Sequence, residues 1–239
     1  MGIITLAFDD GYKETFANCA EYLTKKGIRA TFALPSSSIG KTLENRTVVD
    51  KNDIRYLIKN SHEIASHTTS HRNLLGVYNS EGEDAVKKEM TDSKNELRKL
   101  TGESIDSMVF PFIKDNQNAY LRLLASEYYK SSRITSEKAE FNCLPVEDAF
   151  SVTGVAFTRE ISIGGYNKMV DIVSEKDIWL IEVFHLVSDK NTKSAHREGP
   201  YRFFTHIDDF KAHLEYIISK KISFLTQKEA ILEHERKRS

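Results

Sequence analysis

The chain has 239 residues, 40% hydrophobic and 29% charged, and its 34 Lys plus Arg against 35 Asp plus Glu leave a formal net charge of −1. At this length a chain buries roughly 70–75% of its extended surface, enough for one substantial core. Acidic and basic residues are mixed along it, so no long-range field gathers phosphate backbones or anionic lipid, which argues against nucleic acid as partner. No run of about 18 apolar residues could form a transmembrane segment, and Met1 leads into a strand-like segment without a basic-then-apolar leader. A cytoplasmic location is therefore expected, unless a leader has been trimmed. Cys19 and Cys143 stand far apart and outside any metal-ligand spacing, and read as two small buried hydrophobes.

Gly2 to Phe8 is a short apolar run that predicts a strand, and Glu14 to Lys26 has apolar residues at helical spacing and ends at Gly27. Arg29 to Leu34 is the next strand, then a serine-rich loop to a helix over Val49 to Asn60. A strand at Glu63 to Ser66, a long helix over Glu81 to Leu100 and a strand at Met108 to Phe112 follow. Gln117 to Glu127 reads as a helix and Tyr129 to Ile134 as a strand. Thr135 to Gly165 is irregular apart from SVTGVAF. A helix near Asn167 to Ser174, a strand at Ile178 to Phe184, a helix over Ile207 to Ser219, a strand at Ile222 to Thr226 and a basic helix complete the chain. Ser188 to Gly199 and the terminal KRS are the expected mobile parts.

Strands alternating with helices imply parallel pairing and right-handed crossovers, either in an open doubly wound sheet or in a closed barrel, a choice that periodicity leaves open. No composition break suggests a linker, so a single domain over 1–239 is expected. In such folds reactive groups sit just beyond the C-terminal ends of the strands.

Four strand ends carry candidates. The first ends AFDDGY: Asp9 and Asp10 repel unless a cation or proton separates them, although an Asp capping the next helix is the commoner meaning of such a pair. The third runs into HTTSH, where His67 and His71, four apart, would stack on one face of a helical turn. Two imidazoles and a carboxylate make an open site for a divalent metal, against the bland alternative of two solvated histidines. Pro111 in MVFPF fixes the backbone so that a following N–H can face the cavity, or merely ends a strand. WLIEVFH ends in His185, a proton donor if it reaches the same cavity and otherwise a structural histidine. The remaining histidines, at 62, 196, 206, 213 and 234, read as surface or structural.

In that order AFDDG, HTTSH, the proline-bearing strand end and the strand ending in His resemble the polysaccharide deacetylase family, the NodB-homology domain of carbohydrate esterase family four. The resemblance covers most of the chain and rests on the ordered set of motifs. It implies a distorted (β/α) barrel, with parallel strands and outer helices, and metal-dependent removal of acetyl groups from N-acetylated, in some members O-acetylated, carbohydrate. Carried over by position, Asp10, His67 and His71 become ligands to zinc, or to cobalt, nickel or manganese. Asp9 becomes the general base and His185 the general acid; apart from the resemblance, Pro111 and Phe112 are expected to supply the oxyanion segment through a backbone N–H near Phe112. Oligomeric state is left open.

Two departures stand out. Where many members carry Arg, two prolines and an aromatic residue, this chain has Val109, Phe110, Pro111 and Phe112, so the arginine that usually holds the base is missing there. Arg133 in YKSSRI, near the end of the next strand, is the candidate replacement. The family's Asp-Trp motif has no counterpart, because Trp179 lies inside the last motif's strand, so the partner of His185 is unassigned. Val183 or Phe184 is expected to wall the acetyl methyl. The departures keep two alternatives open: a catalytically impaired carbohydrate-binding barrel, and a hydrolase of non-sugar amides or cyclic imides on the same scaffold.

Overall fold

The computed structural model describes residues 2–113, 118–189 and 202–238, with side chains as far as 233. In chain order the elements are β1 (Ile3–Phe8), α1 (Lys13–Lys25), β2 (Thr31–Leu34), β3 (Thr42–Leu43), β4 (Arg46–Thr47), α2 (Lys51–Lys59), β5 (Glu63–Ser66), α3 (Leu74–Glu81), α4 (Glu83–Thr101), β6 (Ser107–Val109) and α5 (Ala119–Ser126). The second half supplies β7 (Ser131–Ser136), β8 (Asn142–Cys143), β9 (Val152–Ala156), α6 (Ile163–Glu175), β10 (Ile178–Phe184), β11 (Leu186–Ser188), β12 (Phe204–His206), α7 (Ile207–Ser219), β13 (Ser223–Phe224) and α8 (Gln227–Arg238).

Strands β1, β2, β5, β6, β7, β9 and β10 are parallel neighbours in that order, and β10 returns to pair with β1 from Ile3↔Trp179 to Phe8↔Phe184. The sheet is therefore a closed seven-stranded parallel barrel ringed by helices, which decides between the two architectures left open by periodicity. At the base, β13 pairs with Ile3 and Ile4 of β1, while β2 pairs only with Ala7 and Phe8. The start of α8 crosses this end: the Gln227 N–H donates to Thr31 Oγ1, the Lys228 N–H to Glu63 Oε2, and Gln227 Nε2 to Ser131 Oγ.

The two-residue period of a strand sorts side chains between two layers. Ile4, Leu6, Phe8, Phe32, Leu34, Leu180 and Phe184 face outward into one core with Leu23, Leu57 and Leu214 of the helices. Each such side chain, fully buried, contributes on the order of 1.5–3 kcal/mol. Inside the barrel lie Ile3, Ala7, Trp179, Ile181 and Val183, with Ala33, Ala65 and Val109 in a separate cluster. Those small residues leave room for Arg133, which is completely buried. Gly154 is required there: a Cβ would lie 2.6 Å from Val183 Cγ2 and 3.1 Å from Arg133 Cδ.

Several sequence expectations need correction. The long helix is present as α4, but the sequence reading missed α3, which precedes it and is separated from it at Gly82 (φ 86°). The strand expected over Met108 to Phe112 ends at Val109, because the chain turns away at Phe112 (φ 60°). Hairpin β3–β4 turns on Glu44 and Asn45, both at positive φ (50° and 62°), and the β11–β12 pair is likewise absent from the sequence reading. Cys19 is buried as expected but Cys143 is exposed. Of the segment expected to be mobile, residues from 190 onward lie outside the described residues, as does Ser239. No described helix is long and apolar enough to cross a membrane.

Candidate active site

Inward positions one step beyond the strand ends carry the chemistry. Continuing the alternation of β1 through Ile3, Thr5 and Ala7 turns Asp9 into the barrel, and β5 does the same for His67 through Glu63 and Ala65. Asp10 is out of phase with that alternation. It adopts φ 67°, a left-handed conformation that Asp tolerates better than most residues, and its Oδ1 lies 3.4 Å from His67 Nε2 and 3.1 Å from His71 Nε2. Gly11 (φ 67°) completes the turn, where a Cβ would lie 2.8 Å from Leu34 Cδ2.

His71 reaches the same place by a different route from the expected helical turn. Residues 67–73 are irregular, Thr68 and His71 have φ of 63° and 55°, and the His71 N–H donates to Thr68 Oγ1 at 3.1 Å. The two rings are tilted by 58° with centroids 4.8 Å apart. His67 Nδ1 lies 2.9 Å from the Val109 carbonyl. That contact requires an N–H at Nδ1, so Nε2 presents its lone pair to the cavity, the arrangement usual around metal-binding histidines. One ligand atom from each of Asp10, His67 and His71 lies within 4.8 Å of the others. A carboxylate and two imidazoles of this kind suit zinc and the neighbouring transition metals.

Arg133, on β7 and across the barrel interior, donates from Nη2 to Asp9 Oδ1 at 2.5 Å and from Nη1 to Thr135 Oγ1 at 2.8 Å. The structure thus brings to Asp9 the arginine singled out in the sequence. Burial pushes the Asp9 carboxyl up, but the guanidinium and the nearby imidazoles outweigh it and hold the group below the usual carboxylate range. Asp10 is held well below that range: burial opposes, and the charge of His71 among the surrounding imidazoles prevails. Burial lowers His71, yet Asp10 raises it overall.

These groups open into a cleft of about 830 Å³ whose walls include Asp9, Asp10, His67, His71, Phe112 and His185. His185 follows β10 and enters the cleft, with its ring 4.7 Å from that of Phe203. Its Nδ1 is buried and has no hydrogen-bond partner among the described residues. Pro111 is buried, and Phe112 is 47% exposed with its ring 5.0 Å from His71. Phe184 belongs to the outer core, stacked with Phe8, and Val183 is packed inside the barrel. Neither lines the cleft, because both fall short of its mouth. Trp179 is likewise buried in the barrel and donates to Thr5 Oγ1 at 2.9 Å.

Sequence reasoning missed Glu44, Asn73, Glu140 and Phe203, which also line the cleft. Glu44 arrives on the β3–β4 hairpin and accepts from the Tyr12 hydroxyl at 2.9 Å. Its only signal was an Asn in a two-residue turn without glycine.

The family profile described as polysaccharide deacetylase matches residues 2–129. A chitin deacetylase from Pestalotiopsis sp. is 28% identical over 156 residues, 64% of this chain and 47% of that protein, so the chain spans about half the length of this relative. Among solved structures, the Xyl-CE4 domain of a multidomain xylanase from the hindgut metagenome of Trinervitermes trinervoides superposes with a TM-score of 0.59 at 14% identity, covering 97% of this chain and 90% of that one. A family 4 acetyl xylan esterase from Clostridium thermocellum, in complex with a cobalt ion, gives 0.58 at 17% identity, covering 96% and 90%. A CE4 family pseudoenzyme from Bacillus anthracis gives 0.59 at 9% identity, covering 96% and 65%. These structural likenesses establish the barrel.

Proposed function

The chain belongs to the polysaccharide deacetylase family, and from that premise we propose that it is a metal-dependent hydrolase that removes acetyl groups from an N-acetylated, or secondarily an O-acetylated, carbohydrate. The observation that carries the proposal is the convergence of Asp10, His67 and His71 beside the buried Asp9–Arg133 pair, in one cleft with His185.

Asp10, His67 and His71 would hold the cation, zinc in the first instance, with cobalt, nickel or manganese as alternatives. When bound, it would supply Lewis acidity, lowering the pKa of a water towards neutrality and polarising the acetyl carbonyl. Asp9 accepts the proton of the attacking water. Arg133 keeps Asp9 ionised and aimed, so the base is ready at neutral pH and cannot rotate away. The Phe112 N–H, presented after the fixed backbone of Pro111, donates to the carbonyl oxygen as negative charge develops on it. His185 then delivers a proton to the departing amine or alcohol. Asp9 and Asp10 divide the labour because only one of them follows the strand's alternation.

One observation favours a second reading, a carbohydrate-binding barrel without turnover: the unpartnered His185 Nδ1 leaves the acid without an orienting group among the described residues. Metal analysis coupled to acetate release from N-acetylglucosamine oligomers separates the two. We expect a bound divalent ion, lost in Asp10→Ala, and acetate release that disappears on chelation and returns with zinc. Metal and glycan binding with no acetate from any acetylated sugar would overturn the hydrolase in favour of the binding barrel. Turnover confined to cyclic imides or non-sugar amides would move the activity to that class.

A further inference from the structure

We propose that Glu89, on α4, is a positioning residue that folds the loop before His71 into its metal-binding shape. This deepens the deacetylase reading and rests on its ligand set; it adds a residue that acts through His71 and not on the reacting atoms. His67 needs little such help, because it continues β5 and its N–H donates to the Leu34 carbonyl at 3.1 Å. His71 has no strand behind it. Thr68 and His71 adopt φ of 63° and 55°, a region in which residues other than glycine, β-branched ones above all, carry steric strain. Such a backbone persists only where surrounding contacts over-determine it. Here they come from two sides. On one, the Ser36 and Ser37 N–H groups donate to the Thr68 and Thr69 carbonyls at 3.2 and 2.9 Å. On the other, half-buried Glu89 accepts from both amides and both hydroxyls of Thr69 and Ser70. Its Oε2 takes the Thr69 and Ser70 N–H groups at 3.1 and 2.9 Å, its Oε1 the Ser70 hydroxyl, and its main-chain carbonyl the Thr69 hydroxyl at 3.0 Å. The carboxylate is carried by the interior of a helix packed through Val86, Met90 and Leu97, and Ser93 Oγ, one turn on, meets Ser66 Oγ at 2.8 Å. The helix that holds the loop is thus tied to the strand that supplies His67, and a support on a regular element places its load more precisely than a loop could. With residues 68–70 fixed from both sides, His71 Nε2 stands 3.1 Å from Asp10 Oδ1.

The test titrates zinc into the metal-stripped full chain by calorimetry, with urea unfolding and acetate release from the N-acetylglucosamine tetramer measured alongside. Glu89→Ala should weaken zinc binding about tenfold or more, the scale on which groups supporting metal ligands act. Glu89→Gln should stay within about threefold of the parent, because its amide oxygen can keep both N–H groups while its NH2 donates to the rotatable Ser70 hydroxyl. Glu89→Asp, one methylene too short to reach the loop, should resemble Ala. Zinc affinity equal to the parent's in folded Glu89→Ala, whatever its stability, would overturn the proposal and leave Glu89 a structural clamp. So would a Gln variant as weak as Ala, since the loss would then follow charge and not the hydrogen-bond pattern. Should Glu89→Ala fail to fold, Glu89→Asp carries the same comparison. Zinc affinity that depends on Glu89 in a protein releasing no acetate keeps the positioning role and removes the hydrolase; acetate release with zinc affinity indifferent to Glu89 does the reverse. A parent protein that binds no divalent ion overturns both.

Discussion

Two buried pairs, Asp9–Arg133 and Glu182–His213, each join a carboxylate to a nitrogen group, and the first meets a cleft while the second does not. Asp9 and Arg133 lie inside the barrel, 2% and 0% exposed, and Asp9 opens onto the cleft of the Asp10 site. Glu182 and His213 lie in the outer layer, where Glu182 Oε1 is 2.9 Å from His213 Nε2 and the other ring nitrogen is 2.6 Å from Asn167 Oδ1. Phe157 and Tyr166 pack against His213, with centroids 5.1 and 6.3 Å away. Both pairs satisfy the need of a buried charge for a partner. What separates them is access: one carboxylate faces a space that a substrate can enter, and the other ties α6 and α7 to β10. Burial beside a base is therefore not by itself a sign of catalysis.

Substitutions sharpen that contrast, beginning with the largest effect. Asp9→Asn should lower acetate release by about 10²- to 10⁴-fold while metal analysis still finds the ion, as expected for loss of a general base. Arg133→Ala should cost turnover as well, together with about 3–5 kcal/mol of stability, because it leaves Asp9 buried and unpaired; unchanged turnover there would remove Arg133 from the site. His213→Leu should cost a similar 3–5 kcal/mol in denaturant unfolding, with kcat of the folded protein unchanged. Adding Glu182→Leu should recover much of that loss, since no buried charge then remains to be compensated. A large fall in kcat for the folded double variant would show that the outer pair positions His185 after all.

A third buried group, His62, carries no charge and adds a pH dependence of its own. The Ala30 N–H donates to His62 Nδ1 at 3.1 Å, and Thr24 Oγ1 lies 3.2 Å from Nε2, so the ring has no room for a second proton at Nδ1. Burial pushes its pKa down to about 4. The unfolded chain takes up this proton near pH 6.5 and the folded one only near 4. The stability contributed by His62 staying neutral is therefore complete above about 6.5, falls through that window and levels off below it, by up to about 3 kcal/mol. Urea titrations at a series of pH values check this, and replacement of His62 by Asn should flatten the window. The smallest effect tests the cradle of Arg133. Gly154→Ala should cost about 1–3 kcal/mol through overpacking against Val183 and Arg133, with a fall in kcat if the guanidinium is displaced from Asp9.

How far the site could be read in advance varies from residue to residue. Asp9, His67 and His185 lie one inward step beyond clear strands, so period-two alternation and the rule for parallel barrels reach them directly. Arg133 was singled out only through the resemblance, as the replacement for the arginine missing beside Pro111, for nothing local in YKSSRI says that it faces Asp9 through the barrel. His71 was found for the wrong reason: the spacing suggested a helical turn, whereas two left-handed residues fold the loop. Glu44 and Phe203 lay outside reach, since a two-residue turn and the residue just before a three-residue strand leave almost no periodic signal.

Local chemistry by itself determined the alternation of strands and helices, the inward phase of each long strand and the donor types at the strand mouths, because these depend on neighbours a few residues away. Closure of the sheet through β1 and β10, the left-handed turn that swings Asp10 onto the imidazoles and the crossing of Arg133 to Asp9 were decided by tertiary structure. Each joins residues separated by dozens to more than a hundred positions, and such contacts form only when the whole barrel buries its two layers at once.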